Sequence, residues 1–298
     1  MIYVIDASVY VFRAWFSIPD SMIDEESNPV NALYGFTRFL GDFLEEAKPD
    51  YVAVAFDRSL STCFRNDIYP EYKANRDPAP PELKQQFERC QQVASALGLA
   101  DFGEDRYEAD DLIGTVTHRM RAEGMPATIL TRDKDMAQLL TEGDILWDFA
   151  GRRRIRYHEV EDNYGVQPEQ MIDFLALAGD SVDNIPGVRG VGPKTASALL
   201  AHFGSMEAIY ANLDEVAAVP VRGAKTLGKK LAEHKDTAYM SQQLSAIHCD
   251  VPVNTSVALL KRRKPDLGTL NHLYDQAGFG SSLRKQAERI ADQFGGRL

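Results

Sequence analysis

Only three cysteines occur in 298 residues, and Cys63, Cys90 and Cys249 stand far apart in sequence. They form neither a disulfide framework nor a Cys/His zinc pattern, which suits a reducing cytoplasm. Although 44% of the chain is hydrophobic, no apolar run approaches the roughly 20 residues of a membrane span. The opening residues Met1-Ile2-Tyr3-Val4-Ile5-Asp6 carry no basic leader and no cleavage pattern, so no export signal is expected. Excess positive charge is missing too, since the net charge is −11. Taken alone, that argues against a nucleic-acid partner, because phosphates draw basic surfaces. The argument weakens if the acids are gathered in one place.

Nine acids do fall into five short clusters: Asp6; Asp57; Glu108, Asp110 and Asp111; Asp133 and Asp135; Asp180 and Asp183. Setting these nine aside leaves a net charge of only −2. Three clusters follow apolar, β-rich runs, at residues 2–5, 51–56 and 127–130. Between the runs the period changes. Leu33, Phe36, Phe39, Leu40, Phe43 and Leu44 recur at helical spacing, and residues 82–98 and 108–123 read as further helices. A short helix near 134–140 and a strand near 145–148 follow. Alternating strands and helices predict an α/β fold with a parallel sheet covered on both faces. In such sheets ligands sit beyond the carboxyl ends of the strands. Asp6, Asp57 and Asp133 are expected there, joined by the acids at the start of the 108–123 helix. That much negative charge in one crevice calls for cations, and multi-metal carboxylate sites mostly handle phosphodiesters. No His/Cys set competes for zinc, so hard ions such as Mg²⁺ or Mn²⁺ fit.

Two basic features flank the acids. Residues 58–81 form a proline-rich arm with Arg58, Arg65, Lys73 and Arg76 among aromatic residues such as Tyr72. Cations interleaved with rings suit a single strand. From about Tyr157 the chain turns to helices and Gly/Pro turns. One helix opens at Pro168, and another carries Ala196, Leu199, Leu200 and Phe203 on one face and stops at Gly204. The turn between them runs through Gly187, Gly190, Gly192, Lys194 and Thr195. Its spacing approaches that of a nucleotide-binding loop, but Pro193 intrudes and a helix precedes it, so the nucleotide reading is set aside. A non-specific grip on a nucleic-acid backbone fits better, with Lys194 as a phosphate contact. No internal repeat is evident. The tail, with Leu283, Ala287, Ile290 and Phe294 on one helical face, reads as packing.

The strings Val4-Ile5-Asp6, Ala55-Phe56-Asp57, Phe64-Arg65, Tyr72-Lys73-Ala74-Asn75-Arg76, Tyr107-Glu108-Ala109-Asp110-Asp111, Thr131-Arg132-Asp133-Lys134-Asp135 and Gly179-Asp180 through Thr195 appear in order across residues 1 to 250. Together they resemble the 5′-nuclease family of bacterial polymerase I nuclease domains, phage 5′-exonucleases and flap endonucleases. The resemblance implies a PIN-like nuclease core over 1–160 with an arch at about 58–81. It implies a helical DNA-binding region over 161–298, with a helix–three-turn–helix at about 180–204 that usually holds K⁺. Asp6, Asp57, Glu108 and Asp110, with Asp111 close by, would surround a first Mg²⁺ or Mn²⁺ ion. Asp133, Asp135 and Asp183, supported by Asp180, would surround a second. Lys73 and Arg76 would serve catalysis. Arg13, Arg65, Tyr72, Gly187, Gly190, Gly192, Lys194 and Thr195 would contact DNA bearing a 5′ end or 5′ flap. A stand-alone, monomeric, cytoplasmic enzyme of replication and repair is the expectation. The rivals are a non-cutting branched-DNA-binding protein, a PIN-type ribonuclease, and a phosphatase built on Asp133 and Asp135.

Overall fold

The computed structural model describes residues 1–58 and 62–294. Residues 59–61 of the expected arch lie outside the described residues. The first half builds β1 (Ile2–Asp6), α1 (Ala7–Ser17), α2 (Asn31–Ala47), β2 (Val52–Ala55), α3 (Phe64–Ile68), α4 (Pro81–Ala96), β3 (Ala100–Phe102), α5 (Ala109–Ala122), β4 (Ala127–Leu130), β5 (Ile145–Asp148) and β6 (Arg153–Arg156). One six-stranded sheet runs in the order β3-β2-β1-β4-β5-β6. All neighbours are parallel except β6, which returns antiparallel to β5. Strand order reverses between β1 and β4, which places the ligand crevice of such sheets at their carboxyl ends.

Both sheet faces are buried, as near-continuous apolar strands require. Along β1, Ile2 and Val4 face one core with Leu112 and Val116 of α5. Ile5 faces the other core with Phe36, Leu40 and Phe43 of α2. This is the two-residue alternation of a pleated strand. Two strands escaped the sequence reading for plain reasons. β3 is three residues long, and β6 reads Arg-Arg-Ile-Arg, with only Ile155 buried.

The second half is helical: α6 (Val160–Tyr164), α7 (Met171–Ala178), α8 (Pro193–Phe203), α9 (Met206–Ala211), α10 (Ala224–Glu233), α11 (Lys235–Ser245), α12 (Val257–Leu260), α13 (Leu267–Gln276) and α14 (Ser281–Asp292). Not all of it stays together. Leu270 and Tyr274 of α13 and Leu283, Ala287 and Ile290 of α14 join the core of α2. Helices α13 and α14 therefore close the sheet layer rather than extending the helical region. Among the described residues no helix is long and apolar enough to cross a membrane.

Candidate active site

Three strand ends aim their acids at one edge. Registers Asp6↔Ala55 and Ile5↔Leu130 put Asp6 at the end of β1 and Asp57 and Asp133 just past the ends of β2 and β4. Each is held by local bonds. Asp6 accepts from Thr131 Oγ1 at 2.8 Å and from the Val9 amide at 3.3 Å, capping α1. Asp57 accepts from Ser8 Oγ at 2.6 Å and from the Ala109 amide at 2.8 Å. Asp133 accepts from the Asp135 amide at 2.9 Å. With Asp110 and Asp183 they line a cleft of about 910 Å³. Arg13, Lys73, Arg76 and Arg132 line the same cleft.

Among the described residues, Asp6, Asp57, Asp110 and Asp133 have no ion-pair partner, whereas the acids around them do. Charge accumulates in consequence. Burial, then the neighbouring Asp57 and Asp133, pushes the Asp6 carboxyl up to about 7. Burial and then Asp133 push Asp110 well above the usual carboxylate range. Asp133 is raised mainly by burial. Asp135 rises to about 7 through burial and Asp133.

The remaining acids answer to cations. Lys134 Nζ joins Asp180 at 2.7 Å and Asp135 at 3.0 Å. Burial would raise the Asp180 carboxyl, but its bond from Lys134 holds it below its ordinary value. Glu108 accepts from Tyr72 Oη at 2.9 Å, from Arg65 Nη1 at 3.1 Å and from Lys73 Nζ. Lys73 and Arg65 outweigh burial and keep Glu108 low. Asp183 pairs with Arg76 and, at 3.5 Å, with Lys73.

Arg65 and Asp111 stand apart from the expected roles. Arg65 is 2% exposed and so offers no surface to DNA in this structure. It grips Asp111 through two bonds of 2.8 Å and donates to the Leu244 and Ala246 carbonyls. Asp111 is wholly buried and also accepts from the amides of Glu108 and His248. Its oxygens are thus spent inside the protein. Tyr72 is buried as well, packed with Ile185 and Leu244.

These contacts fold the arm down over the cleft. The Lys73 amide donates to the Asp183 carbonyl at 2.9 Å, Asn75 Nδ2 to the Ser181 carbonyl at 2.8 Å, and Asn184 Nδ2 to the Glu71 carbonyl at 2.6 Å. The proline-rich arm is thus docked on the 181–184 turn.

The glycine turn divides in the same way. Gly190, Gly192 and Lys194 are exposed and Thr195 is partly so, but Gly187 is buried and donates its amide to Ser241 Oγ at 3.2 Å. Gly187 has φ +61°, and a Cβ there would stand 2.3 Å from the Gly179 nitrogen. Gly187→Ala is therefore expected to destabilise the fold by more than about 1 kcal/mol. Gly192→Ala, at φ −100° with nothing within 4 Å, should leave the melting temperature unchanged. Equal melting of the two variants would count against this division.

Sequence reasoning passed over three groups. Ser8 and Thr131 orient Asp57 and Asp6, and only their spacing from the acids hints at it. The β5–β6 hairpin carries Arg152, Arg153, Arg154 and Arg156, a charge run plain in the sequence. It borders the cleft through Asp148 and Gly151.

Comparison with known proteins follows the same outline. A family model described as 5′-3′ exonuclease, N-terminal resolvase-like domain, matches residues 1–165. One described as 5′-3′ exonuclease, C-terminal SAM fold, matches residues 166–268. A 5′-3′ exonuclease of Buchnera aphidicola subsp. Schizaphis graminum is 33% identical over 273 residues, 91% of this chain and 94% of that protein. DNA polymerase I of Pseudomonas aeruginosa is 39% identical over 280 residues, 94% of this chain but 30% of the polymerase. The chain thus spans about a third of the polymerase relatives it matches. Among solved structures, a T5 5′-exonuclease with bound zinc superposes with a TM-score of 0.67 at 19% identity, covering 98% of both chains. The catalytic core of Rad2 with DNA substrate gives 0.64 at 16% identity, over 97% of this chain and 90% of that one. These likenesses establish the fold: a mostly parallel α/β nuclease core joined to a helical SAM-fold region.

Proposed function

We propose that this chain, which belongs to the 5′-3′ exonuclease family, hydrolyses DNA phosphodiesters near 5′ ends and 5′ flaps with the help of two divalent ions. The observation that carries the reading is the unpaired crescent of Asp6, Asp57, Asp110 and Asp133 on one cleft, among the described residues.

The donor set fits Mg²⁺ or Mn²⁺. All four side chains offer hard oxygen ligands. Among the described residues no three acids stand at the spacing of a closed ligand set. Mg²⁺ does not need one, since it keeps several waters and takes one or two carboxylates directly. Asp6, Asp57 and Asp110 would hold one ion with Glu108 behind them, and Asp133 and Asp183 a second with Asp135 adjoining. When bound, such ions lower the pKa of a water and stabilise the leaving oxygen of an in-line displacement.

The chain's own residues do the rest. Asp111 and Arg65 lock the start of α5 and so fix where Asp110 points. Lys73 and Arg76 hold the arm down on Glu108 and Asp183. In the same place they supply positive charge to a phosphate entering the cleft. Arg13 and Arg132 line the cleft and extend that field. Gly190 and Gly192 offer backbone amides, Thr195 a hydroxyl and Lys194 a cation to a duplex, a grip on phosphates that reads no sequence. Turn carbonyls there would also suit K⁺. The free cysteines accord with a reducing cytoplasm, and we take the working unit to be a monomer acting in replication and repair.

The test is one gel. With a labelled 5′-flap duplex, cleavage is expected in Mg²⁺ or Mn²⁺ and none in EDTA, with far less on an RNA hairpin. Cleavage that survives EDTA would remove the metal reading. Preference for RNA would favour the PIN-type ribonuclease.

A further inference from the structure

The helical region contains the glycine turn twice, although no repeat stands out in the sequence. Val188-Arg189-Gly190 leads to Lys194-Thr195, and Val221-Arg222-Gly223 leads, after a shorter gap, to Lys225-Thr226. Gly190 has φ +84° and Gly223 φ +82°, a left-handed conformation that glycine adopts without steric cost. Each turn runs into a helix seated by apolar side chains, Leu199 and Leu200 in α8, Leu227 and Leu231 in α10. The missing residues between Gly223 and Lys225 are why the likeness is hard to see in the string.

The helix that follows the second turn reaches the first through Lys230. A Cβ built on Gly190 would stand 3.3 Å from Lys230 Nζ, so the ammonium of α10 reaches the first turn. Arg189, Lys194, Arg222, Lys225 and Lys230 are all exposed. Among the described residues none of the five has an acid at ion-pair distance, in contrast to Lys229, which pairs with Glu233 at 3.7 Å. Unpaired cations on a protein of net charge −11 are a local exception. Between them lie glycine and threonine, and no exposed aromatic ring is available there for stacking on a base. Such a surface suits the regular phosphates of a duplex better than a single strand.

We propose that the turn at Arg222, Gly223, Lys225 and Thr226 is a second duplex-backbone grip, continuous with the one at Gly190 to Thr195 through Lys230. The inference rests on the reading that this chain binds DNA. It adds a site that lengthens the duplex footprint beyond the first turn, independent of base sequence.

The experiment compares wild type, Lys194→Ala and the double variant Arg222→Ala/Lys225→Ala on a fluorescent duplex across a salt series in Ca²⁺. Each lost phosphate contact lowers the slope of log K against log salt by about 0.9. The double variant is expected to lower it by about 1.8, with a raised KM on flap DNA and unchanged kcat. Thermal unfolding should be unchanged, since both side chains are exposed. A wild-type slope in the double variant, with Lys194→Ala reduced, overturns the second grip and leaves the first. No duplex binding by wild type overturns the DNA reading and this inference with it.

Discussion

An Asp110→Asn variant given flap DNA and Mg²⁺ is expected to cut at least about a hundredfold more slowly than wild type, the scale of one lost electrostatic stabiliser. In EDTA at pH 8 the same variant is expected to unfold at a higher temperature than wild type. The two effects have one cause. Asp110 stands on the cleft with Asp6, Asp57 and Asp133, and none of them is ion-paired among the described residues. Its carboxyl is raised by burial and by Asp133. For an acid whose folded pKa lies above its unfolded value, the fold holds the proton more tightly than the unfolded chain does. That contribution is complete below the unfolded pKa and is lost as pH rises through the folded one. Ionising Asp110 in the metal-free fold therefore costs more as pH rises, a cost that a neutral amide of the same shape does not bear. The gain in melting temperature should shrink as pH falls toward the unfolded pKa, below which the wild-type contribution is complete. A variant that melts below wild type at pH 8 while keeping its fold would show that the crescent is not strained by its own charge.

Arg65→Ala should be the most destabilising single change near the site. Removing one partner of a buried ion pair costs about 3–5 kcal/mol. At a little under about 2 °C per kcal/mol for a chain of this length, the melting temperature should fall by about 5–8 °C. The reason is geometric. Arg65 neutralises Asp111 through two bonds, touches Glu108, and ties α3 to the Leu244 and Ala246 carbonyls. Arg65→Lys should recover little, since a single ammonium cannot span both Asp111 oxygens and two carbonyls. If Arg65 were instead a DNA contact, the variant would melt like wild type and show a smaller salt slope in duplex binding.

These two residues also mark where sequence reading reached and where it stopped. Asp110 was legible because helix starts and strand ends are local features, and the carboxylates at those ends converge once the sheet is parallel. The same logic located Asp6, Asp57 and Asp133. Arg65 was not legible, because its partners are remote in sequence: Asp111 lies 46 residues away and Leu244 lies 179 away. In the string it sits among other cations and aromatic residues, where a solvated contact is the natural reading. Gly187 and Gly190 look alike in sequence, yet one touches the backbone of Gly179 and the other faces solvent beside Lys230. Which glycine is structural depends on what packs opposite, and spacing carries no record of that. The return of α13 and α14 to the first layer was hidden for the same reason, since an amphipathic stripe does not name its partner.

The claim at the centre of this account is that the unpaired acids are a metal site. The most direct measurement is the number of Mn²⁺ ions bound per chain at equilibrium, followed by the paramagnetic signal of the free ion, for wild type and Asp110→Asn. Two saturable ions in wild type and at least one fewer, or much weaker, in the variant is the expected result. No saturable binding by wild type, or identical binding by both, would contradict it.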